Sequence, residues 1–519
     1  MPATESPDPL ALSVGEEELK REWRRDLILS VSIANLCFPE VWRRLLFTSR
    51  AFVPAYSSAD YLAAILNVLL VGTTFFLILD LGRQSGSALV QIASRYAPLV
   101  VLLIPLNFFR ERYIDDYGSS PSVAWGQTQI LLGAVSGVIL VYWIRRWHRQ
   151  ILVLAEVICL GSFPLVVLTF SQAGWRAASS DSPSLLADRM TPLPSAASKP
   201  ATRVLWLLFD EMDQRLTFSE RPATLRLPEI DRLRSEALSA SEAYPPAAQT
   251  WLSVPALVTG KPVTASRLTA SNEMMVTFAG GTQEVDWSSQ DNVFSEARRA
   301  GYRTAVVGWF LPYCRVIPAA LTSCFWQPFD APASGQSLTA AMWRQICYSL
   351  PWEAKRDHIL AYLSILEHAK IVATDPELDL VLVHWPIPHA PAIYDRRAGR
   401  FRFVSHNPDW YLDNLALVDL TVGQLRRAME VSGLWDQTTI LLTSDHPWRW
   451  SANLDGKTDP RVPLMLKLAG HKEPLAYARP FETLLLHDLL LALLRGELPD
   501  PNSVARWLDQ RAHPASKED

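Results

Sequence analysis

Three short segments carry residue types able to do chemistry. Val204 to Phe209 is an apolar run that ends in Asp210 and Glu211, and Thr439 to Ser444 leads in the same way into Asp445 and His446. Between them Thr250 opens the run Thr-Trp-Leu-Ser-Val-Pro-Ala-Leu-Val-Thr-Gly, which closes at Gly260. Carboxylates and an imidazole at the ends of apolar runs, with a hydroxyl at the head of a third, form a donor set for one divalent cation beside one nucleophile. A free hydroxyl is hardly ionised at neutral pH. A divalent cation lowers its pKa, and a helix N-terminus adds positive potential for both an alkoxide and the oxygens of an incoming anion. Each residue also has a plainer reading: Asp210 and Thr250 as helix caps, and Glu211 as a group that bonds around the ligands, since adjacent side chains diverge.

Elements must bring these segments together. From residue 203 onward short aliphatic runs recur at 203 to 209, 303 to 308, 378 to 384, 438 to 443 and 462 to 468, separated by helical patterns such as 291 to 300 and 407 to 432. Such alternation predicts an α/β domain over 203–519 with a mainly parallel sheet covered by helices on both faces. In open sheets of this kind ligands bind outside the carboxyl ends of strands, where Asp210, the His384 to His389 segment and Asp445-His446 all fall.

The three motifs, in this order, resemble the alkaline phosphatase and sulfatase superfamily. In sulfatases a modified nucleophile opens a run with a small residue three positions on, Leu at seven, Thr at nine and Gly at ten. Thr250 reproduces this register with Ser253, Leu257, Thr259 and Gly260. Leu252 and Val254 stand where sulfatases carry Pro and Arg, so the formylglycine signal is missing and a sulfatase proper is disfavoured. Thr250-x-x-Ser253-Val-Pro255 is similar instead to phosphoethanolamine transferases, and lipoteichoic acid synthases share a nucleophilic Thr. Ser444-Asp445-His446 resembles the superfamily's Asp-His-Gly, with Pro447 in place of the Gly. The resemblance implies Asp210, Glu211, Thr250, Asp445 and His446 as ligands of one divalent metal, zinc or manganese by donor type. It also implies His389, in the Pro-rich run Trp385 to Pro391, and Lys457, ahead of Arg461-Val462-Pro463, as substrate-binding groups. A rigid-loop His and a solvated Lys are the alternatives, and His384 reads as structural.

The first third is membrane-like. Apolar segments near 27 to 46, 61 to 81, 95 to 109, 125 to 144 and 151 to 172 suggest about five spans in residues 1–172. The segment at 95 to 109 is short and holds Pro98 and Pro105, and Pro39, Glu40, Arg43 and Arg44 interrupt the first. Lys20, Arg21, Arg24 and Arg25 before the first segment, and Arg145, Arg146 and Arg149 before the last, predict an inner-membrane protein whose 203–519 domain faces away from the cytoplasm. Residues 173–202, rich in Ser, Ala and Pro, read as a linker. Cys37 and Cys159 fall in apolar segments, Cys314 and Cys324 flank a short loop suited to a disulfide, and Cys347 is left over. A net charge of −4 gives no footprint for nucleic acid.

The expected activity is therefore group transfer or hydrolysis at a membrane lipid or envelope glycan. Thr250 would take a substituted phosphoryl group from a phosphorylated head-group donor and pass it to a hydroxyl or phosphate acceptor. A catalytically silent relative with a lipid-binding or regulatory role is the alternative.

Overall fold

The structure is a computed structural model that describes residues 9–47, 56–110, 146–179, 202–270, 272–328, 337–348, 350, 352–403 and 409–512. It divides into two compact units. One draws on the N-terminal 183 residues and Ala333–Pro351, and the other on most of the remaining chain.

The second unit is built on an eight-stranded sheet. Its strands are β1 (Arg203–Asp210), β2 (Leu238–Ala240), β3 (Thr304–Trp309), β4 (Ser323–Gln327), β5 (Leu380–Pro388), β6 (Thr438–Ser444), β7 (Leu464–Lys467) and β8 (Leu475–Tyr477), in the order β8-β2-β7-β6-β1-β5-β3-β4. β1 pairs in parallel with both β6 and β5, and β3 pairs in parallel with β5 and β4. β7 is antiparallel to β6 and β2, so the sheet is mixed but mostly parallel, as the alternating pattern predicts.

The central strands are continuous apolar runs because both their faces are covered. Val204, Trp206 and Leu208 of β1 pack with helices Thr250–Thr259 and Leu486–Leu494, while Leu205, Leu207 and Phe209 pack with helices Glu353–Ala373 and Trp410–Val431. The register Phe209 to Ser444 sets the ends of β1 and β6 side by side, so the acidic residue after each run emerges at the carboxyl end of the central strands. Cys314 and Cys324 are joined in a disulfide across the turn between β3 and β4.

The expectation of about five spans is corrected in the first unit. Among the described residues two helices are long and apolar enough to cross a membrane, Ser58–Gln84 and Arg146–Ser179. They contain the segments expected at 61 to 81 and 151 to 172. Their apolar residues face outward, among them Leu69, Leu70, Leu77, Val153, Leu154 and Leu165, where the core helix of a soluble protein would bury them. The segment at 27 to 46 fails through its breaks. Helix Pro9–Leu36 ends, a four-residue helix restarts at Pro39, and Glu40 pairs with Arg43 and Arg44 at 2.6 Å each. The segment at 95 to 109 falls on two helices, Ala88–Val101 and Leu103–Arg110, of 14 and 8 residues. Each is short of the roughly 20 residues that a hydrocarbon core requires. The segment at 125 to 144 lies outside the described residues. Helix Leu338–Cys347 also belongs to this unit, where the Gln345 side chain accepts from Asn67 at 3.2 Å and donates to the Asp60 carbonyl at 2.7 Å.

Candidate metal centre

Asp210, Asp445 and His446 meet at the carboxyl ends of β1 and β6, each buried and offering ligand atoms that all lie within 4.8 Å of one another. His446 Nε2 is 3.5 Å from Asp210 Oδ1 and 3.6 Å from Asp445 Oδ2. Those two oxygens have no hydrogen-bond partner although both are buried. Unpartnered buried carboxylate oxygens are costly, and converging on one point they have the form of a cation site.

The imidazole is set for the same role. His446 Nδ1 lies 3.0 Å from the Pro447 carbonyl, which can only accept, so Nδ1 carries a proton and Nε2 is the ring nitrogen turned toward the carboxylates. Burial, with Asp445 and Glu211 adding to it, raises the Asp210 carboxyl well above the usual carboxylate range, opposed by Arg449 and the Thr250 hydroxyl. A divalent cation would reverse that balance. The donors fit such a group: two carboxylates and one imidazole.

Thr250 Oγ1 stands 3.3 Å from His446 Nε2. It is the first residue of its helix, after an extended Gln249 whose side chain makes no capping bond. Its hydroxyl is therefore free of the capping role that the sequence left open. Ser253, one turn on, donates to the Asp445 carbonyl at 2.5 Å and is fully buried. That bond explains the small polar residue at this spacing, because it ties the helix to the strand end that carries two of the ligands. Ser444 completes the joint: its hydroxyl accepts from Met212 N–H at 2.8 Å and lies 2.7 Å from the carbonyls of Phe209 and His446.

Glu211 is buried beside the cluster but its carboxylate is turned to Arg449, with Oε1 2.8 Å from Nε. Its backbone adopts φ 64°, a left-handed conformation. That conformation is held by its N–H donating to Asp445 Oδ1 at 3.3 Å and by the Tyr411 hydroxyl donating to its carbonyl at 2.7 Å. His389 lies in a loop with cis peptides at Ile387-Pro388 and Ala390-Pro391, its Nδ1 2.6 Å from the Ala390 carbonyl and its ring 5.4 Å from Trp309. Lys457 is exposed and its ammonium is paired with Glu220 at 2.8 Å. His384 is buried in the middle of β5, 2.9 Å from the Tyr313 hydroxyl, and burial, reinforced by His446 and opposed by Asp445, brings its pKa down to about 4. The structure thus brings Asp210, Asp445, His446 and Thr250 together and directs Glu211 to Arg449. Arg449 went unread in the sequence, where only its place three residues after His446 marks it.

A protein-family model described as Sulfatase matches residues 203–487, a segment that holds every one of these residues. No curated protein matches the chain. Among solved structures, the chain is similar to Ps i-CgsB in complex with k-i-k-neocarrahexaose at 17% identity and a TM-score of 0.44, over 61% of this chain and 78% of that one. The PsFucS1 sulfatase from Pseudoalteromonas sp. follows at 18% identity and 0.41, over 57% and 68%. The phosphonate monoester hydrolase of Agrobacterium radiobacter is similar at 15% identity and 0.39, over 57% and 77%.

Proposed function

Because the chain belongs to the sulfatase family, whose model spans residues 203–487 of its 519, we propose that it is a metal-dependent transferase or hydrolase of tetrahedral esters with Thr250 as its nucleophile. The observation that supports this reading is the pair of unpartnered buried oxygens, Asp210 Oδ1 and Asp445 Oδ2, which converge with His446 Nε2 beside the Thr250 hydroxyl. A bound divalent cation would supply positive charge that favours the alkoxide form of a nearby hydroxyl and offsets charge on an ester group.

The chain's own residues do the rest. Thr250, at the start of a ten-residue helix, presents Oγ1 where backbone N–H groups favour negative charge. Ser253 fixes that helix to the Asp445 carbonyl, so nucleophile and ligands keep one spacing. Thr250 Oγ1 gives up its proton and attacks phosphorus, the bond to the leaving oxygen breaks and that oxygen takes up a proton to depart as the alcohol, and the substituted phosphoryl group on Thr250 passes to an acceptor hydroxyl, a phosphate or water, which restores the Thr250 hydroxyl. A phosphoester is favoured over a sulfate ester because Thr250, Leu252 and Val254 lack the signal that generates formylglycine. A lipid head group is favoured as donor because the two long apolar helices would tether the site near lipid and raise its effective concentration.

Metal analysis of the purified full-length protein tests this reading, alongside turnover of bis(4-nitrophenyl) phosphate. We expect about one zinc or manganese per chain, lost in Asp445→Asn. A folded protein that stays metal-free and inert with either ion in excess would leave the catalytically silent alternative standing.

A further inference from the structure

Arg449 is held in an unusual way. Its partner Glu211 is 1% exposed, sits at φ 64°, and follows directly on Asp210. A buried carboxylate and a left-handed non-glycine residue each cost free energy, and both are maintained here to place one guanidinium. The scaffold around the pair is rigid. Tyr411 bonds the Glu211 carbonyl and accepts from the Asp213 N–H at 2.9 Å, and its ring stacks on Trp448, the residue before Arg449, at 3.9 Å and 3°. Both members of the pair are thereby locked through their neighbours.

The pairing uses Nε alone. The Nη1 and Nη2 groups make no hydrogen bond among the described residues, and the side chain is 40% exposed. Charge points the same way. Asp210, Asp445 and Glu211 carry three negative charges when ionised, so a divalent cation and Arg449 together balance them. A partly exposed guanidinium with two open donor groups, aligned by a buried carboxylate at the ligand cluster, is suited to bind two oxygens of a tetrahedral anion.

We propose that Arg449, oriented by Glu211, binds the non-bridging oxygens of the ester group that Thr250 attacks, and that Glu211 is the counter-ion of this arginine and not a metal ligand. This rests on the functional reading above, and the two fail separately.

The test is calorimetric titration of inorganic phosphate, and in parallel inorganic sulfate, into zinc-loaded full-length protein in detergent, with zinc content measured on each variant. We expect Arg449→Ala and Glu211→Gln to keep zinc and to weaken phosphate binding by about tenfold to a hundredfold, the range for a hydrogen bond to a charged group. Arg449→Lys, which keeps the charge without the fork, should fall between. Tighter phosphate than sulfate binding in the parent, lost in Arg449→Ala, would assign the arginine to phosphoryl oxygens, and the reverse order to sulfuryl oxygens. Phosphate and sulfate affinities within twofold of the parent in zinc-loaded Arg449→Ala or Arg449→Lys would overturn the proposal. So would loss of zinc in Glu211→Gln, or in both arginine variants, since either result gives the pair a part in holding the metal. A zinc-loaded parent that binds neither anion would overturn the functional reading itself.

Discussion

Thr250→Ala separates the two roles open to this residue, and the structure sets the size of each effect. The substitution deletes a hydroxyl and a methyl at the first position of helix Thr250–Thr259. No capping bond is lost, because Gln249 occupies the cap, and the hydroxyl lies 3.3 Å from His446 Nε2 and beside the Asp210 carboxyl. A contact at that distance is weak, and a methyl is worth about 0.8 kcal/mol, so the expected loss of stability is about 1 kcal/mol. Turnover should respond on another scale. A nucleophile that forms a covalent intermediate has no substitute at its position, and its removal costs on the order of a thousandfold or more. Thr250→Ser, which keeps the hydroxyl, should retain measurable activity. The assay pairs bis(4-nitrophenyl) phosphate turnover with thermal unfolding and metal content, and adds peptide mass spectrometry for a phosphoryl adduct on residue 250 after a quenched single turnover. Metal-loaded Thr250→Ala that works within tenfold of the parent would refute the assignment, leaving the hydroxyl as a packing group of the helix.

Three further outcomes follow from named contacts. Ser253→Ala should lower stability by about 1 kcal/mol, the net value of the buried bond to the Asp445 carbonyl, and should weaken zinc binding, because that bond ties the helix to the ligand strand; an unchanged zinc affinity would remove the link. Alkylation of the unfolded, unreduced protein should label Cys37, Cys159 and Cys347, and reduction should add Cys314 and Cys324; five labelled cysteines without reductant would contradict the bridge. Burial raises the Asp419 carboxyl from 3.8 to about 6, outweighing the two N–H groups of Glu229 and Ile230 that it accepts. A folded-state pKa above the unfolded one means that this contribution to stability is complete below about pH 4 and is lost as pH rises through about 6. Asp419→Asn keeps the accepting oxygen and removes the titration. Between pH 4 and pH 8 the parent should therefore lose up to about 3 kcal/mol more than the variant in denaturant unfolding, and equal losses would refute the shift.

What was legible in the sequence follows from how each element earns its stability. β1, β5 and β6 are buried on both faces and therefore write themselves as unbroken apolar runs, so the chemistry at their ends could be read before the fold was known. β2, β4 and β8 are three to five residues long and lie toward the sheet edges, where too little apolar area is buried to leave a pattern. The span count went astray for a related reason. Hydropathy sums composition over a window, whereas crossing a bilayer requires one continuous helix, and the chain breaks at Phe38-Pro39 and at Leu102 inside windows that look apolar. Glu211 shows the limit at the site itself. Its type and its place beside Asp210 make it a natural metal ligand, but its orientation is decided by Arg449, 238 residues away, and by Tyr411 and Trp448, which fix the backbone of both. Ligands that end strands are positioned by the sheet and so follow from local pattern. A residue whose partner is set by long-range packing carries no local mark of it, and Arg449, the partner that turns Glu211 away from the ligands, was for that reason the arginine the sequence hid.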